Sequence, residues 1–297
     1  MTDRTHHDAM LKDGAFRGRT IVITGGGTGL GRSMAQTLLS LGANIAICGR
    51  RADVLQRAAD ELRQATGGQV LAQPCDVRNT DQVEALVAAA FERFGAVHGL
   101  VNNAAGNFIC PTERLSYRAF QTVVDIVQGG AVHCTLAFGK RWIAAGLPGT
   151  ILNMVTTYAS SGSGYVAPSA VAKAGVLALT RSLAAEWGKY GIRSNAIAPG
   201  PFPTEGAWSR LMPDALRGLG DPAARIPLGR VGEHQELANL AAYLLSDYSG
   251  YINGACITID GGESVRGAGE FNYLDAVSPE QWDELQALMK PKKAEAP

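Results

Sequence analysis

Short apolar runs and helical stripes alternate along the chain. Residues 19–24 (RTIVIT) form a β-branched run ending in Gly25-Gly26-Gly27, which predicts a buried strand and then a tight turn. A helical stripe spans 30–41 and stops at Gly42. Runs at 44–48, 69–75, 97–102, 150–155, 192–197 and 255–259 predict six more strands. Between them, 53–64, 80–94 and 115–145 carry helical patterns, the last interrupted at Gly129-Gly130. Pro168 suits the first turn of a helix running to Trp187, because no intrahelical partner is lost there, and Gly188 and Gly191 end that helix. Residues 271–289 predict one further amphipathic helix.

Seven strands alternating with helices predict an α/β fold: a single-domain, doubly wound parallel sheet of the Rossmann type with right-handed crossovers. No linker divides the 297 residues. Residues 16–290 are therefore expected as one domain, with 1–15 a flexible lead and 291–297 a flexible tail. The stretch 199–230 holds six of the thirteen prolines (199, 201, 203, 213, 222 and 227) and little periodicity, which predicts a long lid loop.

Charge and composition narrow the function classes. Lys+Arg and Asp+Glu both number 27, so the net charge gives no reason to expect a nucleic-acid or membrane partner. The five cysteines (48, 75, 110, 134, 256) form no CxxC pair, which predicts free buried thiols in a reducing compartment and no metal site. His6 and His7 fall in the polar lead and are expected as tail. That lead has no apolar run before Phe16, the chain ends in Glu-Ala-Pro, and no apolar stretch is long enough to span a bilayer. A cytoplasmic setting is expected.

The candidate chemistry begins at the first glycine turn. Gly25, Gly29 and Gly31 follow a predicted strand and open a predicted helix, with Gly27, Thr28 and Leu30 between them. Gly25 permits the turn, Gly29 lets backbone N–H groups approach a pyrophosphate, and Gly31 allows close helix–strand packing. The helix N-terminus then faces the phosphates. The second strand ends in Cys48-Gly49-Arg50-Arg51, where an acidic residue would suit ribose hydroxyls. Two arginines suit a ribose phosphate instead, so NADP(H) is expected. Asp76, in Cys75-Asp76-Val77, is placed either to bind the adenine amino group or to lie solvated in a loop.

Together TGGGTGLG (24–31), Asn102-Asn103-Ala104-Ala105-Gly106, Lys173 within a helix, and Pro199-Gly200 after a strand resemble the short-chain dehydrogenase/reductase family over about residues 19–262. Two positions depart from the family pattern. Ser169 stands four residues before Lys173, where the family usually has tyrosine, and Val127 stands where it commonly has its helix asparagine. The nearest upstream tyrosines are Tyr165 and Tyr158. The stretches AAGNFICPTERLS (104–116), VAPSAVAKAG (166–175), SLAAEWGKYGIR (182–193), PGPFPTEGAWSRL (199–211), INGACITIDGGE (252–263) and GEFN (269–272) are similar to one branch, the NADPH-dependent 2,4-dienoyl-CoA reductases.

That resemblance implies a reaction and a set of roles. Hydride from NADPH would reach the δ carbon of a 2,4-dienoyl thioester, and protonation at the α carbon would give a 3-enoyl-CoA. Tyr158 and Asn107 would hold the thioester oxygen, Lys173 would bind the nicotinamide ribose, and Ser169 would either assist as a donor or cap its helix. Thr156 occupies the family's active-site serine position, with its role open. Val77, Asn103, Ala104, Gly106, Pro199, Gly200, Phe202 and Thr204 would line the cofactor. Arg50, Arg78 and Arg210 would meet acyl-CoA phosphates, with Phe108 and Ser116 at the acyl entrance. A homotetramer is implied, with the helical stretches 115–145 and 169–187 as interface candidates. Two further readings stand beside this one. The first is a carbonyl or 3-oxoacyl thioester reductase using Tyr165 or Tyr158, and the second is a non-catalytic NADP(H)-binding protein.

Overall fold

The computed structural model describes residues 11–204, 206, 211 and 221–289. Seven strands form one sheet: β1 (Thr20–Thr24), β2 (Asn44–Gly49), β3 (Val70–Pro74), β4 (Gly99–Asn102), β5 (Gly149–Met154), β6 (Ile192–Pro199) and β7 (Cys256–Ile259). Their order is β3-β2-β1-β4-β5-β6-β7 and every pairing is parallel. The order reverses between β1 and β4, so the loops leaving these two strands diverge and open a crevice at the carboxyl edge.

Helices cover both faces, which is why the strands are apolar on both sides. Ile21, Ile23, Ile45 and Ile47 join the core under α1 (Gly29–Ser40) and α2 (Ala52–Thr66). Val22, Ala46 and Cys48, one residue out of phase, join the core on the opposite face. That second core is closed by α3 (Thr80–Phe94), α5 (Gly130–Ala145) and α6 (Ala167–Trp187). Between β4, β5 and these helices runs a buried polar chain. Asn102 Nδ2 donates to Thr135 Oγ1 and to Asn153 Oδ1, both at 2.8 Å, and Asn153 Nδ2 donates to Thr180 Oγ1 at 2.9 Å. Each such bond contributes about 1 kcal/mol net, and pairing these buried groups avoids a larger desolvation cost.

Several sequence expectations are refined. The stretch 115–145 is not one helix. It comprises α4 (Tyr117–Val124), a π turn (Asp125–Gly129) and α5. The glycine pair does interrupt the α-helix, and packing gives a reason for it: a Cβ on Gly130 would lie 2.4 Å from Val77 Cγ2. Residues 271–289 divide into a 3-10 turn (Asn272–Ala276) and a helix beginning only at Pro279. A further helix, α7 (His234–Leu245), packs on α1 and was not anticipated. Its sequence signal is the reciprocal capping box of Glu233 and Glu236, followed by buried Leu237, Ala238, Ala241, Ala242, Leu244 and Leu245. The chain then forms α8 (Glu263–Ala268) and α9 (Pro279–Met289).

Leu11 and Ala15, within the expected lead, pack against the core beside Phe16. Residues 1–10 and 290–297 lie outside the described residues. Of the expected lid, Pro199 closes β6 and residues 222–225 form a 3-10 turn tied to α8. Arg225 pairs with Glu263 at 2.5 Å, and Arg266 donates to the Ala224 carbonyl at 3.0 Å. Residues 205, 207–210 and 212–220 lie outside the described residues. All five cysteines are free, but Cys110 and Cys256 are half-buried, not fully buried as expected. Among the described residues, no helix is long and apolar enough to cross a membrane.

Candidate active site

The crevice is built first by Thr24, the last residue of β1. Its buried hydroxyl donates to the Val101 carbonyl and accepts from the N–H groups of Asn103 (3.0 Å) and Ala104 (2.9 Å). The Asn103 amide donates in return to the carbonyls of Thr24 (2.9 Å) and Gly25 (3.3 Å). The two loops expected to flank a nucleotide are therefore tied to each other. Thr24 was missed as a positioning residue, and the side chain of Asn103 is committed to the turn.

The glycine turn fits a dinucleotide. Gly25 has φ +65°, and a Cβ on Gly31 would come within 2.5 Å of the Gly25 carbonyl, so α1 can start this close to β1 only with glycine there. Thr28 is the N-cap of α1 but its side chain makes no capping bond, and the first turn carries no acidic residue. Backbone N–H groups and the helix dipole at Gly29, Leu30 and Gly31 are thereby presented to an anion. A Cβ on Gly29 would fall 3.0 Å from Thr204 Cγ2, which brings the loop after β6 against the turn.

At the carboxyl ends of β2 and β3, Arg50 and Arg51 are exposed, and Arg78 grips Asp76 through a bidentate pair with its shortest contact at 2.5 Å. The Arg78 guanidinium holds the Asp76 carboxyl below the usual carboxylate range, and the charge of Arg50 acts in the same direction. Asp76 and Arg78, expected to serve adenine and CoA respectively, are thus partners of one another here. Val77 is buried beneath Gly130.

On the other side of the crevice stands the candidate reaction centre. Tyr158 lies in a 3-10 turn (Thr157–Ala159) just beyond β5. Asn107 Nδ2 donates to its hydroxyl at 3.3 Å, and its hydroxyl is also 3.3 Å from Ser169 Oγ. Ser169 lies inside the first turns of α6, whose N-cap is Val166, so it does not cap the helix. One turn further on, Lys173 is buried and its ammonium donates to the Met154 carbonyl at the end of β5. Burial pushes the Lys173 pKa down to about 8, because the charged form loses its hydration. Thr156 is buried beside the tyrosine's turn.

An apolar floor supports this cluster. Val127 from the π turn packs with Val123 and Ala172, and Phe108 and Ile126 lie against them. Gly106 sits directly over Ile126, with 3.4 Å from a built Cβ to Ile126 Cδ1. Asn107 and Phe108 are thereby carried on a loop resting on apolar side chains.

Other expected site residues fall into place more loosely. The Phe202 ring is buried against Gly232. Gly200 packs tightly against Asp260, where a Cβ would meet its Cβ at 2.7 Å. Ser116 is the N-cap of α4, accepting from the Ala119 N–H at 3.1 Å. Tyr165 has a left-handed φ of +64°, an exposed ring, and a carbonyl that accepts from the Cys110 N–H at 2.9 Å. Its backbone thus staples the Asn107 loop to the Tyr158 loop. Arg210 lies outside the described residues.

A parallel sheet with a glycine turn at its switch point, and a tyrosine, a serine and a buried lysine beside it, fits a nucleotide-dependent oxidoreductase. The family model described as enoyl-(acyl carrier protein) reductase matches residues 25–264. An uncharacterized oxidoreductase from Caenorhabditis elegans is 45% identical over 94% of this chain and 91% of its own length. A probable (3E)-enoyl-CoA-producing 2,4-dienoyl-CoA reductase from the same organism is 39% identical over 95% of this chain and 92% of its own. A probable (2E)-enoyl-CoA-producing 2,4-dienoyl-CoA reductase from Bacillus subtilis is 44% identical over 82% and 96%. The crystal structure of a short-chain dehydrogenase from Bacillus anthracis superposes with a TM-score of 0.75 at 46% identity, covering 83% of this chain and 96% of that one. The chain belongs to the short-chain dehydrogenase/reductase family, enzymes that work with a nicotinamide cofactor.

Proposed function

We propose that the protein is an NADPH-dependent 2,4-dienoyl-CoA reductase that yields a 3-enoyl-CoA in the β-oxidation of unsaturated acyl chains. The observation that carries this reading is the placement of the Tyr158 hydroxyl between Asn107 and Ser169, 3.3 Å from each, while serine occupies the position four residues before Lys173. A ketone reductase needs its proton donor beside the carbon that accepts hydride. A dienoyl thioester accepts hydride at the far end of a conjugated system, and negative charge accumulates on the thioester oxygen. Donors are then needed at that oxygen, and Tyr158 with Asn107 forms such a pair.

When bound, NADPH supplies the hydride. The chain's own residues do the rest in this reading. Asn107 and Tyr158 donate to the thioester oxygen and hold the developing dienolate, and Ser169 orients the tyrosine hydroxyl. Lys173, charged below a pH of about 8, binds the nicotinamide ribose and lends positive charge to the same region. The proton for the α carbon comes from water. Gly25, Gly27–Gly31, Ala104, Gly106 and the backbone of 199–204 form the cofactor's bed. Arg50 and Arg51 meet the ribose phosphate that selects NADPH over NADH, with Asp76 and Val77 nearby. Phe108 and Ser116 flank the acyl entrance, and Arg50, Arg78 and Arg210 meet CoA phosphates. A homotetramer and a cytoplasmic setting complete the reading, the latter supported by five free cysteines.

The test is oxidation of NADPH, with NADH in parallel, by a short 2,4-dienoyl-CoA beside matched 3-oxoacyl-CoA and 2-enoyl-CoA esters. Turnover of the dienoyl ester with NADPH, and a 3-enoyl product by chromatography, is the expected result. A 2-enoyl product would move the protonation site to the γ carbon. Turnover of the 3-oxo ester alone would return the protein to the carbonyl reductases.

A further inference from the structure

His234, the first residue of α7, joins two parts of the cofactor bed that are far apart in sequence. Its Nε2 lies 2.7 Å from the Pro203 carbonyl, in the loop after β6. Its Nδ1 lies 3.0 Å from Ser33 Oγ, one turn into α1 behind the glycine turn. Ser33 Oγ is in turn 3.2 Å from the Gly29 carbonyl. A carbonyl can only accept, so Nε2 carries the ring proton. The Ser33 hydroxyl donates to the Gly29 carbonyl, and its contact with Nδ1 completes the bridge. The residue after Pro203 is Thr204, whose methyl group is 3.0 Å from where a Gly29 Cβ would be.

The imidazole therefore bridges the helix that follows the glycine turn and the loop after β6. It is seated firmly. α7 packs along α1, Gln235 accepts from Thr37 on α1 at 3.2 Å, and the capping box of Glu233 and Glu236 fixes the helix start at His234.

We propose that His234 is a positioning residue that holds Thr204 against Gly29, and so sets the affinity for the nicotinamide half of the cofactor without touching the cofactor itself. The inference rests on the cofactor reading given above. A side chain that merely stabilised the fold would affect both halves of a dinucleotide alike. One that registers the loop after β6 would affect only the nicotinamide half.

Fluorescence titration of His234→Ala, His234→Gln and the unaltered protein with NADPH, and calorimetry with 2′,5′-ADP, separate these cases. Loss of the bridging hydrogen bonds is expected to weaken NADPH binding about five- to tenfold in His234→Ala. It should raise KM for NADPH more than it lowers kcat, and leave 2′,5′-ADP affinity within about twofold. His234→Gln, whose amide nitrogen can still donate to the Pro203 carbonyl, is expected to recover most of the loss. An unchanged NADPH affinity in His234→Ala, an equal loss toward 2′,5′-ADP, or a glutamine variant as weak as the alanine one would each overturn the proposal. Should His234→Ala fail to fold, the glutamine variant and Ser33→Ala carry the same comparison. An unaltered protein that binds 2′,5′-ADP and NADPH but turns over no dienoyl ester would fail the substrate reading alone. Binding of neither ligand would sink both readings.

Discussion

The hydroxyl of Tyr158 lies 3.3 Å from Ser169 Oγ, although the two residues come from separate elements on either side of an exposed loop. Ser169 stands one helical turn before Lys173 on α6, and Lys173 reaches the Met154 carbonyl at the end of β5. The phenol enters from the β5 end and not from α6.

Removing that donor should separate chemistry from binding. Tyr158→Phe is expected to lower kcat about 100- to 1000-fold with a dienoyl thioester, the cost of one oxyanion donor, and to leave NADPH affinity unchanged. Asn107→Ala should lower kcat in the same direction, and the double variant should fall short of the product of the two losses, since both donors serve one oxygen. Stopped-flow turnover with parallel NADPH titration measures both. Near-normal turnover by Tyr158→Phe would remove the tyrosine from the mechanism.

Lys173 predicts a pH dependence. Its burial lowers the pKa to about 8, so the ammonium is charged below that pH and increasingly neutral above it. If the charge supports the anion, kcat/KM should be level below a pH of about 8 and decline as the pH rises through it. Lys173→Arg, which stays charged, should move the decline to higher pH in whatever activity survives. A profile that rises through a pH of about 8 would mean that the neutral amine is the working form.

A second titration concerns stability. The Thr20 N–H donates to Nδ1 of His98 at 3.0 Å, which requires that nitrogen to be unprotonated. Burial, and then the charge of Arg19, lower the His98 pKa below its ordinary 6.5. The unfolded chain therefore takes up this proton at higher pH than the native state does. The contribution of His98 is complete above about 6.5 and is lost as the pH falls through the lower native value. Urea denaturation between a pH of about 5 and 8 should show a midpoint that falls on acidification, with a shallower slope in His98→Gln.

The contact of α5 with α6 rests on a missing methyl. A Cβ on Gly139 would lie 2.3 Å from the Trp187 ring, which is held in the core with no room to retreat. Gly139→Ala should destabilise the fold by about 1–3 kcal/mol despite the better helix propensity of alanine. Gly175→Ala meets only the end of the Gln128 side chain at 2.6 Å and should cost less. Thermal unfolding of the two variants checks the order.

Much of this was determined by the sequence alone. Short continuous apolar runs with intervening helical stripes point to a parallel doubly wound sheet, whose strands are covered by helices on both faces. The spacing of Gly25, Gly29 and Gly31 after such a strand places the nucleotide turn, because the backbone conformation there admits few other residues. Serine in place of tyrosine before Lys173 marked a departure from the family pattern.

Only the tertiary structure decided which side chains meet beside that serine. Tyr158, Asn107 and Ser169 come from three separate loops and elements, and hydrogen-bond distances between them depend on how α6, the 3-10 turn after β5 and the loop after β4 pack. The commitment of Asn103 to the glycine turn, the burial of Phe202 and the capping role of Ser116 are likewise matters of where a side chain points. His234 gave no signal in the chain, because its partners lie 31 and 201 residues away. Local pattern fixes elements through backbone sterics and burial, whereas a site is assembled from long-range contacts that leave no periodicity behind.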